Sequence, residues 1–177
     1  VRTVPRDIDN NFFVEGGISS WDYGIGSETI GLSSGEEIVL AVYRQGKETL
    51  RTGYDYQSLE SINEMIEEDI RTNNAFVAVY KVSLAAYGAT QSDHLEREEM
   101  VVLSRIMVSP KFRRRGLAQK MISHLEQTAK TRGFRQAMLW VDVSNKRILP
   151  LYRKLGYTNI GLIHEPWEDV YELHKIL

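Results

Sequence analysis

One stretch limits the folds open to this chain: Val108-Ser109-Pro110-Lys111-Phe112-Arg113-Arg114-Arg115-Gly116-Leu117-Ala118. A mostly apolar run, Met100 to Val108, leads into it, and an amphipathic pattern from Leu117 to Arg132 leads out. Strand, tight basic loop with a glycine, then helix is an order that makes an anion site. The first amides of a helix lack intrahelical partners, and the helix dipole adds partial positive charge there. Gly116 lets the backbone approach an anion with no Cβ in the way, and the arginines add formal charge. The stretch reads as a diphosphate cradle at the carboxyl end of a strand, where open α/β sheets bind ligands.

The flanking pattern supports such a sheet. Glu37–Arg44 and Lys47–Tyr56 read as paired strands. Ser58 then starts a helix, with Leu59, Ile62, Met65, Ile66 and Ile70 at helical spacing opposite Glu60, Glu64, Glu67 and Glu68. Ala75–Val82, Leu84–Thr90 and Met100–Val108 read as strands, with a polar loop from Gln91 to Glu99. After the cradle, Leu117, Met121, Ile122, Leu125 and Ala129 share one helix face, and Gly133 ends the helix. Ala137–Val143 is an apolar strand, as a central strand should be. Ser144-Asn145 caps a short helix to about Leu155, with Pro150 tolerable only near its first turn. Tyr157–Ile163 and Asp169–Leu177 close the order as strands around the turn His164–Glu168. The expected class is α/β (α+β), a mixed twisted sheet of about seven strands flanked by helices. Residues 1–35 are a Gly- and Ser-rich arm of uncertain structure. Its Phe12, Phe13, Trp21 and Tyr23 suit packing on the domain better than a free linker. Residues 36–177 form the single main domain.

Composition closes several routes. The chain has 177 residues and no cysteine, so thiol nucleophiles, thiolate metal sites and disulfides are excluded. Net charge is −2, so nucleic-acid binding rests only on Arg113–Arg115 and is not expected. No apolar run has the length of a membrane span and no signal-peptide pattern opens the sequence, so a cytoplasmic protein is expected. The four histidines show no metal-ligand spacing, and no metal is expected.

Val108-x-Pro-x-Phe-Arg113-x-x-Gly116-x-Ala118 resembles the acetyl-coenzyme-A signature of the GNAT superfamily of N-acyltransferases, whose core is Arg/Gln-x-x-Gly-x-Gly/Ala. Asn145, Tyr152 and Leu155-Gly156-Tyr157 resemble the same family's Asn…Leu-Tyr-x-x-x-Gly-Phe segment and follow the strand after which the family has it. The resemblance covers about residues 75–177 and, more loosely, the helix at 58–72. It implies that strands 100–108 and 137–143 run parallel and splay apart, with the pantetheine arm in the gap. It implies acetyl-CoA as co-substrate and acetyl transfer to a primary amine by direct attack in a ternary complex. The acceptor is a small molecule, a polyamine, or a peptide N-terminus or lysine, and the protein is a monomer or homodimer. The other reading is a non-catalytic acyl-CoA-binding module.

On that resemblance the cofactor is held by Ile106, Met107 and Val108 on the strand, by Arg113, Arg114, Arg115, Gly116, Leu117, Ala118 and Gln119 in the cradle, and by Asn145 and Tyr152. Tyr152 is the acid, since a phenol of pKa about 10 can protonate a departing thiolate; it can equally be core, on one face with Ile148 and Leu155. Asn145 binds pantetheine or caps its helix. The amine must lose a proton, and where some relatives carry a glutamate or histidine this chain has Ser104 and Trp140. Asp142, Glu99 and Glu165 are the candidate bases. Trp140, Glu165 and Trp167 are expected at the acceptor pocket, or Trp140 and Trp167 are ordinary core or rim. The acidic tracts Glu64–Asp69 and Asp93–Glu99 attract a cationic amine or are solvated faces.

Overall fold

The computed structural model describes residues 13–15, 64–65, 68–69, 71–72, 74–80, 83–92, 97, 99–166 and 168–177. The strand expectations at 37–44 and 47–56, most of the helix from Ser58, and Trp167 lie outside them. The described strands are β1 (Phe13–Glu15), β2 (Ala75–Tyr80), β3 (Ser83–Ser92), β4 (Met100–Val108), β5 (Gln136–Asp142), β6 (Thr158–His164) and β7 (Asp169–Ile176). They form one sheet in the order β1-β2-β3-β4-β5-β7-β6. Phe13–Glu15, from the expected arm, pairs antiparallel with β2 at the sheet's edge. Two α-helices follow β4: α1 (Leu117–Thr131) and α2 (Leu149–Lys154).

Every neighbouring pair is antiparallel except β4–β5. That pair is parallel and short: Met100, Val101 and Val102 match Gln136, Ala137 and Met138. Beyond it β4 keeps pairing only with β3, and β5 only with β7. The two central strands therefore part, as the resemblance implies.

A bulge in β4 lies beyond this point. Ala89 matches Ser104 and Tyr87 matches Met107, so β4 carries one extra residue opposite Gly88. Arg105 adopts φ 50°, a left-handed conformation uncommon for a side chain of its size. An extra residue flips which side chains face which way. Before the bulge Val101 and Leu103 join the core under α1, whereas after it Ile106 and Val108 pack there. Gly88 lets α1 lie close: an added Cβ would stand 3.0 Å from Leu125 and 3.1 Å from Met121.

The main core fills the space between α1 and the sheet. Met121, Ile122, Leu125 and Ala129 are wholly buried there, on the face their spacing predicts. Burial of each large side chain stabilises by about 1.5–3 kcal/mol, and Leu125→Ala would cost about 2–5 kcal/mol. The opposite face of the sheet holds a smaller cluster of Met100, Val102 and Met138, with Trp140 against it.

Boundaries differ from expectation in β3 and in the helix after β5. β3 runs on to Ser92, because Gln91 and Ser92 pair with Val102 and Val101. The helix expected from Ser144-Asn145 to Leu155 is divided into a 3-10 segment, Val143–Ile148, and α2. Asn145 has non-helical angles (φ −102°, ψ 19°), and the cap is the Asp142 carboxylate, which accepts from Ser144 N at 2.6 Å. Pro150 then falls in the first turn of α2, where its missing N–H costs nothing. Among the described residues no helix is long and apolar enough to cross a membrane.

Candidate active site

The parting of β4 and β5 opens a cavity of about 260 Å³ on the α1 side of the sheet. Ile106, Met107 and Val108 line it from β4, and Arg113, Ala118 and Ile122 from the loop and α1. Asn145, Arg147, Ile148, Leu151 and Tyr152 close it from the segment after β5.

Each wall has a local cause. Ser109 N donates to Ala85 O at 2.9 Å, so the main-chain groups of Ser109 point to β3. Strand alternation turns those of Val108 the other way, into the gap. The Val108 carbonyl is met there by Arg113 Nε at 3.0 Å, which folds the loop back over the strand end. Phe112, 8% exposed, pins the same loop into the core beside Leu117. Gly116 begins α1 with φ 74°, a conformation that only glycine takes freely. A Cβ there would meet nothing within 4 Å, so the space above it is open.

Electrostatics in this region favour a polyanion. The first turn of α1 holds no acidic residue and its N-cap makes no side-chain hydrogen bond, so its dipole is uncompensated. Arg113 and Arg147 share the cavity. Partial burial, then the repulsion of Arg147, pull the Arg113 guanidinium below its ordinary pKa. Two like charges over an uncapped helix start fit the diphosphate of a coenzyme A thioester, and the apolar strand and α2 walls fit its slender arm.

Tyr152 is 6% exposed and stacks edge-on against Tyr157 at 5.7 Å between centroids. Burial pushes its phenol up to about 12. It is thus both core and cavity wall, and it stays protonated across the physiological range.

The residues expected in the cradle divide. Ile106, Met107, Val108, Arg113, Ala118, Asn145 and Tyr152 line the cavity. Leu117 does not, because its side chain is core and only its amide faces the helix start. Arg114, Arg115 and Gln119 are exposed on the loop and first turn, Arg115 over the Phe112 ring at 5.9 Å. Arg147, Ile122, Ile148 and Leu151 were not expected. Ile122 stands one turn beyond Ala118, and Arg147 two residues beyond Asn145, so both carried a signal.

The candidate bases do not converge. Glu99 precedes β4 at the end where the central strands still pair; its main-chain oxygen binds Arg135 N and Gln136 N, and its side chain pairs with Arg135. It is at the opposite end of β4 from the cavity and does not line it. Glu165 is exposed in the β6–β7 turn. Asp142 stands at the parted end of β5, holding Ser144 N.

The other side of the sheet carries two polar clusters that straddle the same gap. Beside β5, Glu172 is 7% exposed. Its carboxylate accepts from Arg97 Nη1 at 3.1 Å and from Trp140 Nε1 at 3.2 Å, and lies 2.6 Å from His174 Nε2. Burial raises the Glu172 carboxyl, but these partners outweigh it and leave it below the usual range. Trp140 is therefore held by its indole N–H, with its ring against Met138 and Val102. Beside β4, Asp69 accepts from Arg105 Nε at 2.8 Å and from Tyr87 Oη at 2.7 Å, and Arg105 Nη2 meets its other oxygen. Asp69 is 2% exposed and its acidic tract is not simply a solvated face, although Glu68 is, paired with Arg71. Sequence pattern shows neither cluster, since each joins residues far apart in the chain.

A parted parallel pair, a bulged strand and a basic loop on a helix start define a coenzyme-A-type acyltransferase scaffold. The acetyltransferase (GNAT) family model matches residues 41–157, and the chain belongs to that family. An uncharacterized N-acetyltransferase of Methanocaldococcus jannaschii is 34% identical over 76 residues, 43% of this chain and 34% of that protein. The chain thus matches about a third of that relative's length. The fold is shared with a ribosomal-protein-alanine N-acetyltransferase from Brucella melitensis (TM-score 0.65, 19% identity, 80% of this chain and 96% of that one). It is shared too with an aminoglycoside 6'-N-acetyltransferase solved with coenzyme A (TM-score 0.62, 16% identity, 76% and 89%).

Proposed function

We propose that this protein is an acetyl-CoA-dependent N-acetyltransferase that acts on a primary amine. The observation that supports it most is the meeting of three things at one cavity: the post-bulge end of β4, the uncapped start of α1 with Arg113, and Tyr152. Acyl transfer needs a held thioester, donors aimed at its oxygen, and a proton for the leaving sulfur.

The Gly116–Gln119 backbone, Arg113 and Arg147 hold the diphosphate. Asn145 and the apolar walls guide the pantetheine arm to the parted strands. The Val108 amide, turned into the gap, polarises the thioester carbonyl. The neutral amine enters from the Trp140 side and its nitrogen attacks the carbonyl carbon. The C–S bond breaks, the electron pair stays on sulfur, and the Tyr152 phenol supplies the proton. The amine's own proton leaves through water, with Asp142, alone of the three proposed carboxylates at the parted end of a central strand, as its acceptor. Trp140 and Glu165 form the acceptor rim. The amine belongs to a small molecule, a polyamine or a peptide.

Thioester consumption across a panel of amines tests this. Wild-type turnover is expected to fall about 10²–10⁴-fold in Tyr152→Phe, with coenzyme A affinity held within about threefold, since no phosphate contact is lost. Among the described residues the cavity lining holds no carboxylate, which favours a second reading, an acyl-CoA-binding module. Tight coenzyme A binding without turnover of any amine would establish that reading instead.

A further inference from the structure

The bulge that aims the end of β4 is not held by β4 alone. Its central residue, Arg105, sits at φ 50°, a conformation that is strained for a non-glycine residue and persists only where the surroundings over-determine it. The surroundings are unusually complete. The Arg105 side chain is 5% exposed and forks onto Asp69 through Nε and Nη2. Asp69, from the helical turns at 68–69, is itself fixed by Tyr87 Oη at 2.7 Å. Tyr87 is wholly buried and is the β3 partner of Met107, two residues past the bulge. With its amide oxygen turned to Arg105, Gln91 of β3 accepts from both Nη atoms and gives its N–H to Ser104 Oγ at 3.2 Å. The guanidinium thus joins the strand residues on both sides of the bulge to a third element.

We infer that Asp69, Arg105 and Tyr87 are positioning residues, a buried clamp that locks the β4 bulge and so aims the Val108 amide at the thioester carbonyl. The inference rests on the acetyl-transfer reading above. A slip of the bulge by one residue would turn the amide of Val108 from the gap toward β3 and the apolar side chains of Ile106 and Val108 away from α1. Without the clamp the extra residue has no fixed place. The diphosphate cradle is spared, because none of the three residues lines the cavity. The clamp should therefore affect the reacting carbonyl and leave cofactor affinity nearly alone. A merely structural ion pair would instead change stability without this separation.

The experiment uses the full chain and acetyl-CoA labelled with ¹³C at the carbonyl. Three quantities are read for each protein: kcat, the coenzyme A dissociation constant, and the infrared stretch of the bound carbonyl. The variants are Tyr87→Phe, Arg105→Lys and the neutral pair Asp69→Asn with Arg105→Gln. In wild type the stretch is expected below its solution frequency. In the neutral pair it returns toward that frequency, kcat falls about 10–100-fold, and coenzyme A affinity stays within about threefold. Tyr87→Phe falls about threefold to tenfold by the same signature, and Arg105→Lys recovers part of the loss. A folded neutral pair with wild-type kcat and carbonyl frequency overturns the inference. If that pair does not fold, Tyr87→Phe decides it: an unchanged stretch and kcat overturn the clamp. Wild-type protein that fails to bind or turn over acetyl-CoA overturns the functional reading itself and the inference with it, so the two failures fall on different proteins in the series.

Discussion

The two sides of the β4–β5 gap use charge in opposite ways. On the α1 side, Arg113 and Arg147 face each other across a cavity and repel. Among the described residues no carboxylate pairs with Arg147. On the far side, charges are matched: Arg105 with Asp69, and Arg97 with Glu172, whose carboxylate also meets the His174 ring. The α1 side gathers like charges about one cavity, an arrangement suited to an anion. The far side is already complete, so its charges serve placement, of a bulge beside β4 and of an indole beside β5. A buried, matched pair contributes little net stability, but removing one member leaves the other stranded, and that is how it enforces geometry.

The difference is sharpest in a charge reversal. Arg113→Glu combined with Arg147→Glu should raise the coenzyme A dissociation constant by about a hundredfold or more, read by calorimetric titration. Glu172→Gln, on the far side, should leave that constant within about twofold. Similar losses from both would erase the distinction drawn between the two sides.

Stability should show the reverse order. Glu172→Gln takes the charge from a group with three close partners and is expected to lower the unfolding free energy by about 1–3 kcal/mol, measured by urea denaturation. Arg147→Glu alone, at an exposed position on the cavity rim, should move it by less than about 0.5 kcal/mol.

The smallest effect below pH 10, and the one common to both sides, concerns tyrosine. Burial raises Tyr152 to about 12, and burial with the Asp69 charge raises Tyr87. Unfolded tyrosines ionise near pH 10. Below about pH 10 both states keep their protons and these groups confer their full stability. Above it the unfolded chain gives up protons that the folded one retains, so stability falls as pH rises from about 10 through the folded values. Ultraviolet phenolate absorbance and circular dichroism, followed together, should change in one cooperative step above pH 10 rather than along a gradual titration.

The cradle was readable because it is local. Val108 to Ala118 is one contiguous strand–loop–helix segment, and the anion site proposed for it rests on chain direction, a glycine and basic side chains. The helix face Leu117–Met121–Ile122–Leu125–Ala129 was readable for the same reason, since 3.6-residue spacing is written in the order of residues. Asn145 and Tyr152 were readable through the resemblance of their segment. The divided helix at 143–154 was not, because Asp142, which reads as strand, supplies the cap.

Residue order carried the fold class, the buried face of α1 and the strand–loop–helix order of residues 108–118, and the family resemblance added the parallel central pair. Which side chains stand beside the parted strands is a matter of tertiary pairing. Glu99 stands close in sequence to the bulged strand yet lies at its far end, because a strand carries its residues about 3.3 Å further apart at each step. Glu172 and Trp140 are far apart in sequence and hydrogen-bonded in space, because β5 and β7 pair across the chain. Asp69, Tyr87 and Arg105 meet on a bulge that no periodicity announces. Local order dictates helices, strands and caps, but which side chains come to share one gap depends on strand register, and a single extra residue in β4 resets it.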